Sequence, residues 1–470
     1  MLALRSARAA CAIVAIGLGL AAGATRASAA PCGGDFQTWL SAFRADAAGA
    51  GISSQTQSAA LTGLTPSGHG IVGNGWFHRD LGEVRFWPQS HRLVQGETVH
   101  VAARKRARER GVAYTSATVF AWFNQGAPVD FSVTPKPWYG CDGSKVFGIH
   151  GDPVDYPGHL ERELGPFPFF SFWGPRAGLP ATTWIARATA WTLRTHRPSF
   201  TFSYLPHLDY DLQRFGPDAP GTAERVREVD EAAGVVLDAA AETGTEVVVF
   251  SEYGLLPVGS VAWPNRVLRK AGLLEVRDGP FGEGLDVFRS RAFAVCDHQI
   301  AHVYVREPAD VAPVARLLEA LPEVGRVLDR DARVSMGLEH PRSGELVVLA
   351  KPQSWFAYPF WLDDAKAPDY ARTVDIHRKP GYDPCELFVD PKLHMPQLRV
   401  ARRLLQKKLG MRMKMDVVPL DATLVKGSHG VLSLDGDDGP VFVAGEKADS
   451  DRVRTLADLK AHALLRMGLA

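Results

Sequence analysis

TEVVVFSEYG, Thr245 to Gly254, is the stretch that decides the fold. A short run of β-branched and aromatic residues breaks off at Ser-Glu-Tyr-Gly, so a strand ends where a carboxylate and a phenol begin. Upstream lies ERVREVDEAAGVVLDAAAETG (224–244), with the apolar spacing of an amphipathic helix. Further upstream comes another β-rich run, SFTFSYL (199–205), preceded by the helical pattern ATTWIARATAWTLRTH (181–196). TSATVFAWF (115–123) and ELVVLA (345–350) extend the alternation on either side. Strands alternating with helices predict an α/β fold with a mostly parallel central sheet flanked by helices. In such sheets the chemistry gathers where the strands end.

The strand ends are therefore the places to look. SFTFSYL runs into PHLDYDLQRFGPD (206–218), TEVVVF into SEYGLLPVG (251–259), and KGSHGVL (426–432) lies near the C-terminus. Carboxylates, a histidine and a glutamine on loops beside glycine or proline are the donor mixture that divalent cations take. Asp209, Gln213, Glu252, Tyr253 and His429 are the candidates, with His207 and Asp211 as substitutes in the same loop. His298 and His302 in CDHQIAHVYV stand four apart, but Val303 and Val305 beside them favour a strand and a structural role.

A second element is LTGLTPSGHGIVGNGW (61–76), with five glycines, one His and one Asn. Backbone this rich in glycine turns tightly or lets another group approach closely. Asn74 is either a turn residue or an amide donor to a bound oxygen. Aromatic residues that could line a pocket or the core are Trp76, Phe77, Trp87, Trp355 and Trp361.

On these residues the chain from about residue 52 onward resembles the type I phosphodiesterase and nucleotide pyrophosphatase branch of the alkaline phosphatase superfamily. In that branch a nucleophilic Thr precedes Thr-Gly-Leu, then Pro-x-x-His-Gly-Ile and an Asn that contacts phosphoryl oxygens. Thr62, Gly63, Leu64, Pro66, His69, Gly70, Ile71 and Asn74 keep this pattern. VDFSVTPKPWYGCDG (129–143) also looks like this branch, and residues 355–388 resemble a bacterial subgroup of alkaline phosphatase family proteins. The resemblance implies a phosphate ester hydrolase with two divalent metal ions, zinc first, and a hydroxyl nucleophile. Ser53, 21 positions ahead of Asn74, is the matching hydroxyl. Asp209 matches the Asp of the family's Asp-x-x-x-His pair, with Gln213 where the His stands. Glu252-Tyr253 replaces its Asp-His, and His429, or alternatively His377, matches the third His.

Two departures keep a second reading open, that of a catalytically impaired or inactive member acting as a binding protein. One is the pair Gln213 and Tyr253, since an amide binds zinc poorly and a phenol with a pKa near 10 ligates it rarely. The other is the family's first strand, expected to end in a metal-binding Asp well before Thr-Gly-Leu, for which this sequence offers no matching β-run. Asp35 is the nearest early acid, and no β-run precedes it.

The front of the chain explains that gap. Residues 1–29 carry Arg5 and Arg8, an apolar core from about Ala9 to Ala22 and a small-residue Ala27-Ser28-Ala29 motif. This pattern predicts a signal peptide cut near Ala29 and a periplasmic or secreted protein. Residues 30–57 form a helical N-terminal segment with Phe36, Trp39, Leu40 and Phe43 on one face, and residues 58–470 form the phosphodiesterase domain. About residues 1–60 resemble the start of lytic murein transglycosylases, a resemblance that implies a fused front end.

The bulk composition sets outer limits. Lys plus Arg is 53 against 52 for Asp plus Glu, a net charge of +1, which argues against a nucleic acid duplex as partner and leaves a small phosphate ester. No later stretch is long and apolar enough to span a membrane. Cys32, Cys141, Cys296 and Cys385 would allow a disulfide after export, with the pairing open.

Overall fold

The computed structural model describes residues 13–19, 56–141, 144–431, 439–445 and 452–470, with backbone alone for 13–19. Ser53, the helical segment before it and Cys32 lie outside the described residues.

The central sheet is built from β1 (Ile13–Gly19), β2 (Ser116–Val119), β3 (Phe131–Tyr139), β4 (Lys145–Asp152), β5 (Phe200–Leu205), β6 (Thr245–Ser251) and the short strand Phe442–Val443. From one edge to the other the order is Phe442–Val443, β6, β1, β5, β2, β3, β4. β5, β2 and β3 pair in parallel, and β6 points the same way because both β5 and β6 are antiparallel to β1. The predicted α/β architecture is present, with four strands sharing one direction.

β5 shows why the sheet is covered on both faces. Phe200, Phe202 and Tyr204 alternate onto one face and pack with Val99, Ala103, Phe250, Leu459 and Ala463. Ser203 points the other way and shares a 2.6 Å hydrogen bond with Thr189 of helix α2, where α1 is Thr56–Thr62, α2 Leu179–His196, α3 His207–Phe215 and α4 Thr222–Thr243. Helices α2 and α4 cover that second face through Trp184, Ile185, Leu193, Val229 and Val236. Burying one such Phe or Leu contributes roughly 1.5–3 kcal/mol.

The position between β5 and β6 is taken by β1, antiparallel to both. Ile13 stands opposite both Leu205 and Ser251, and Gly19 opposite Thr245. The residues predicted to be the apolar core of a leader thus complete two backbone ladders. The reversal puts the start of β1, and not its end, beside the functional ends of β5 and β6. Residues 1–12, which lead into it, contain no Asp or Glu.

A second, antiparallel sheet is formed by β7 (Ala292–Asp297), β8 (Ile300–Val305), β9 (Val324–Leu328) and β10 (Leu346–Ala350), in the order β7–β8–β10–β9. β7 and β8 form a hairpin turned by His298 and Gln299, with His298 in the left-handed region at φ 59. Its core takes in Trp361, Phe356, Tyr358 and Tyr382. Trp76, Trp355 and Trp361 are fully buried, so three of the five candidate pocket aromatics are packing residues. Cys141, Cys296 and Cys385 are free thiols, so no disulfide joins the cysteines among the described residues.

Candidate functional site

The site begins where β5 ends. Pro206 breaks the strand and starts α3, which carries Asp209 and Gln213 one turn apart on its buried face. Gln213 Nε2 donates to Asp209 Oδ2 at 2.7 Å, and the Tyr253 hydroxyl donates to Asp209 Oδ1 at 3.2 Å. Burial pushes the Asp209 carboxyl up to about 6, while those two bonds pull it the other way. The Tyr382 hydroxyl donates to Gln213 Oε1 at 2.8 Å, which occupies the other end of the amide.

Four buried or half-buried rings lie in a row beside this network. Tyr253 stacks on His429 with centroids 3.6 Å apart, His429 lies 3.6 Å from His298, and His298 stacks on Tyr382 at 3.8 Å. Burial holds His429 down to about 3 and His298 well below the ordinary histidine value, so both are neutral imidazoles. His429 reaches this place because Gly427 passes directly over α3. A Cβ there would sit 2.1 Å from Leu212 O.

The glycine-rich element reaches the same place from the other sheet. Asn74 donates to Asp297 twice, from its backbone N–H to Oδ2 at 2.7 Å and from Nδ2 to Oδ1 at 3.0 Å. Gly75 lets the following strand pass over Phe86, whose ring would be 2.4 Å from an added Cβ. His69 shapes the turn, accepting the Ile71 N–H at Nδ1 (3.2 Å), and Arg342 clamps it by donating to Gly70 O at 2.6 Å. Asp297 and His298 are neighbours in the chain. One holds Asn74 and the other joins the ring stack, so the β7–β8 turn connects the two halves of the site.

The remaining candidates fall as follows. Glu252 accepts a hydrogen bond from Gln57 of α1, whose Oε1 in turn accepts the Trp122 N–H at 3.0 Å. His377 lies apart from Asp209. Its Nδ1 meets Phe86 O at 3.1 Å, and it lines an open cleft of about 970 Å³ with Trp87, Lys136, Tyr370 and Arg378. Asp211 pairs with Arg214 at 2.7 Å, and His207 with Glu228 at 2.7 Å, so neither turns to Asp209. His302 is structural, with Nε2 2.9 Å from Val72 O. His298 is the exception to the expected structural role for that pair, since it belongs to the ring stack.

Trp87 links cleft and site. Its N–H donates to Asn74 O at 2.8 Å, and its ring lies 6.0 Å from Tyr382 and 4.7 Å from Trp122. Trp87 and His298 both hold left-handed backbone angles, φ 59 in each case. Such angles cost on the order of 1 kcal/mol or more in a bulky residue and concentrate at functional sites. Asp297, Gln57 and Tyr382 are absent from the candidates read from the sequence, and His298 was read there as structural. An Asp-His pair closing a β-run was the available signal for Asp297 and His298.

The donors do not fit a two-ion centre. No group of three or more His, Cys, Asp or Glu side chains able to hold a metal ion occurs among the described residues. Gln213 offers its nitrogen to Asp209, and that nitrogen has no lone pair to give a cation. β1 itself, Ile13–Gly19, carries no carboxylate.

Among solved structures the chain is similar to phosphonoacetate hydrolase from Sinorhizobium meliloti 1021 in complex with phosphonoformate. The two share 15% identity over 89% of this chain and 86% of that one, with a TM-score of 0.53. It is also similar to murine ectonucleotide pyrophosphatase/phosphodiesterase 5, at 13% identity over 89% and 85% with a TM-score of 0.49, and to the alkaline phosphatase PafA, at 12% over 66% and 77% with a TM-score of 0.46. No curated protein matches the chain. The fold is alkaline phosphatase-like. Residues 52–383 match the family described as Type I phosphodiesterase / nucleotide pyrophosphatase, and the chain therefore belongs to that family of phosphoester hydrolases.

Proposed function

We propose that the chain binds a small phosphate ester at the ends of β5 and β6 and cleaves it through the hydroxyl of Ser53. Asn74 is the donor for a non-bridging oxygen, and Asp297 holds it in place before substrate arrives, which is what electrostatic stabilisation of a transition state requires. The observation that carries this reading is the Asp297–His298 turn, which joins the Asn74 arm to the Asp209 network. The ligand named for the similar phosphonoacetate hydrolase structure, phosphonoformate, is likewise a compact phosphorus oxyanion. The proposed reaction is an in-line displacement at phosphorus: the Ser53 oxygen forms a new P–O bond as the bond to the ester alcohol breaks, the alcohol leaves with the serine proton, and water then hydrolyses the phosphoserine; the described donors do not fit a metal ion.

Gln213 and Tyr253 favour a second reading, in which binding survives and hydrolysis is impaired. Purified protein assayed on bis(4-nitrophenyl) phosphate, with chelator and with added zinc, separates the two. Release of 4-nitrophenol that Ser53→Ala abolishes supports hydrolysis, and ligand binding without release supports the impaired member. Zinc-dependent turnover would restore the divalent metal pair that the sequence implies. We assign residues 1–29 to a leader cut near Ala29, residues 30–57 to a front segment akin to lytic murein transglycosylases, and residues 58–470 to the hydrolase domain, which places the protein in the periplasm or outside the cell. N-terminal sequencing of exported protein tests that assignment. No helix among the described residues is long and apolar enough to cross a membrane.

A further inference from the structure

We propose that the Gln213 side chain stands in for a divalent cation at Asp209, closing that position by hydrogen bonds, and that a single imidazole at position 213 would reopen it to metal. Both ends of the amide are occupied. Nε2 donates to Asp209 Oδ2 at 2.7 Å, and Oε1 accepts from the Tyr382 hydroxyl at 2.8 Å. Turning the amide over would set Oε1 against a carboxylate oxygen, which is repulsive, so Tyr382 and Asp209 together fix its orientation.

The other carboxylate oxygen receives the Tyr253 hydroxyl. A buried carboxylate needs a cation or donors on its oxygens, and here an amide and a phenol supply the donors. His429 Nε2 stands 4.0 Å from Asp209 Oδ1. Two ligands of one tetrahedral zinc at ordinary bond lengths lie about 3.3 Å apart. The His429 ring is held at this wider spacing by Tyr253 on one face and His298 on the other.

Among the described residues, Asp209 and His429 stand within reach of a common ligand position. Position 213 follows Asp209 by one helical turn, so a side chain there rises on the same face as the carboxylate. Asp209, an imidazole at 213 and His429 would make the three-ligand arrangement that zinc takes with a water in the fourth place. The inference rests on reading Asp209 as the carboxylate of the phosphoester site, but its test does not depend on turnover.

The test measures zinc bound per chain. Full-length protein is stripped with chelator, dialysed against micromolar zinc and analysed by elemental mass spectrometry, with thermal midpoints recorded with and without zinc. Wild type should hold no stoichiometric zinc and show the same midpoint in both. Gln213→His should take up one equivalent, with a zinc-dependent rise in midpoint, and Asp209→Asn added to it should abolish both. The inference is overturned if wild type binds an equivalent that Asp209→Asn alone removes. It is equally overturned if Gln213→His, folded by circular dichroism, binds none. Should Gln213→His not fold, the wild-type and Asp209→Asn pair still decides. Zinc-free wild type that cleaves no diester sinks the hydrolysis reading and leaves the bridge standing, whereas stoichiometric zinc in wild type does the reverse.

Discussion

Asp297 receives both the backbone and the side-chain N–H of Asn74, at 2.7 and 3.0 Å, across 223 residues of chain. Removing the carboxylate in Asp297→Ala leaves a part-buried amide without its partner. The expected cost is about 1–3 kcal/mol in urea unfolding. The same variant should lose most of its kcat on bis(4-nitrophenyl) phosphate with a smaller change in KM, because a donor aimed in advance acts on the transition state. Unchanged kcat would remove Asn74 from the oxygen-binding role.

Gly75→Ala tests the close approach beneath that Asn. The new methyl would stand 2.4 Å from the Phe86 ring and 2.7 Å from Arg85 O. The ring can shift but the carbonyl belongs to the partner strand, so the hairpin must open. A loss of roughly 1–3 kcal/mol is expected, and a variant as stable as wild type would mean the two strands are not held at this spacing.

Lys379 is buried between two carboxylates, 2.6 Å from Asp383 and 2.7 Å from Glu386. Its ammonium is pushed up to about 12 by these partners, against burial, which is the largest single influence and lowers it. Lys379→Met removes the cation and leaves both acids unpaired, at a cost of about 3–5 kcal/mol. The loop from Asp375 to Glu386 is tied to this trio, since Asp375 N–H donates to Glu386 at 2.8 Å and the Trp173 indole donates to it at 2.5 Å. Limited proteolysis should therefore cut the variant in that loop before it cuts elsewhere.

Acid should destabilise the fold before the carboxylates titrate. Burial holds His100 down to about 3, and His69 and His302 down to about 4. Each stays neutral in the folded chain below pH 6.5 while its unfolded counterpart takes a proton, so stability falls as pH drops from about 6.5 toward 4. The slope approaches about 1.4 kcal/mol per pH unit for each histidine. Asp209, raised to about 6, works in the opposite sense over part of this window but is a single group. Urea midpoints at pH 7 and pH 5 check the sign, and His302→Gln should flatten the difference.

Legibility followed the reach of the interactions. SFTFSYL and TEVVVFS were readable because their β-rich runs are covered on both faces, and Asp209 and Glu252 were readable because strand ends hold the chemistry in such sheets. His298 was not, because its role depends on a hairpin that turns it toward His429, more than a hundred residues away. Tyr382 sits in an irregular loop with no periodicity to announce it. His429 was the better local match, with His377 as the alternative, and the passage of Gly427 over α3 sets His429 beside Asp209. The apolar run from Ile13 carried a targeting pattern, and the vacancy between β5 and β6 that it fills belongs to the assembled sheet.

The proposed leader would give that seven-residue strand two incompatible employments. If residues 1–29 serve as the proposed leader, an export machinery would have to grip Ile13–Gly19 as an extended or helical apolar peptide, while the finished sheet hides the same backbone between two neighbours. A precursor that folds first conceals its own address. A chain that is trimmed first leaves β5 and β6 as facing open edges in the middle of the molecule, each with a row of unmet N–H and C=O groups. Under that proposal, the order of folding and trimming would decide whether the protein carries a closed sheet or a cleft that some other strand must enter.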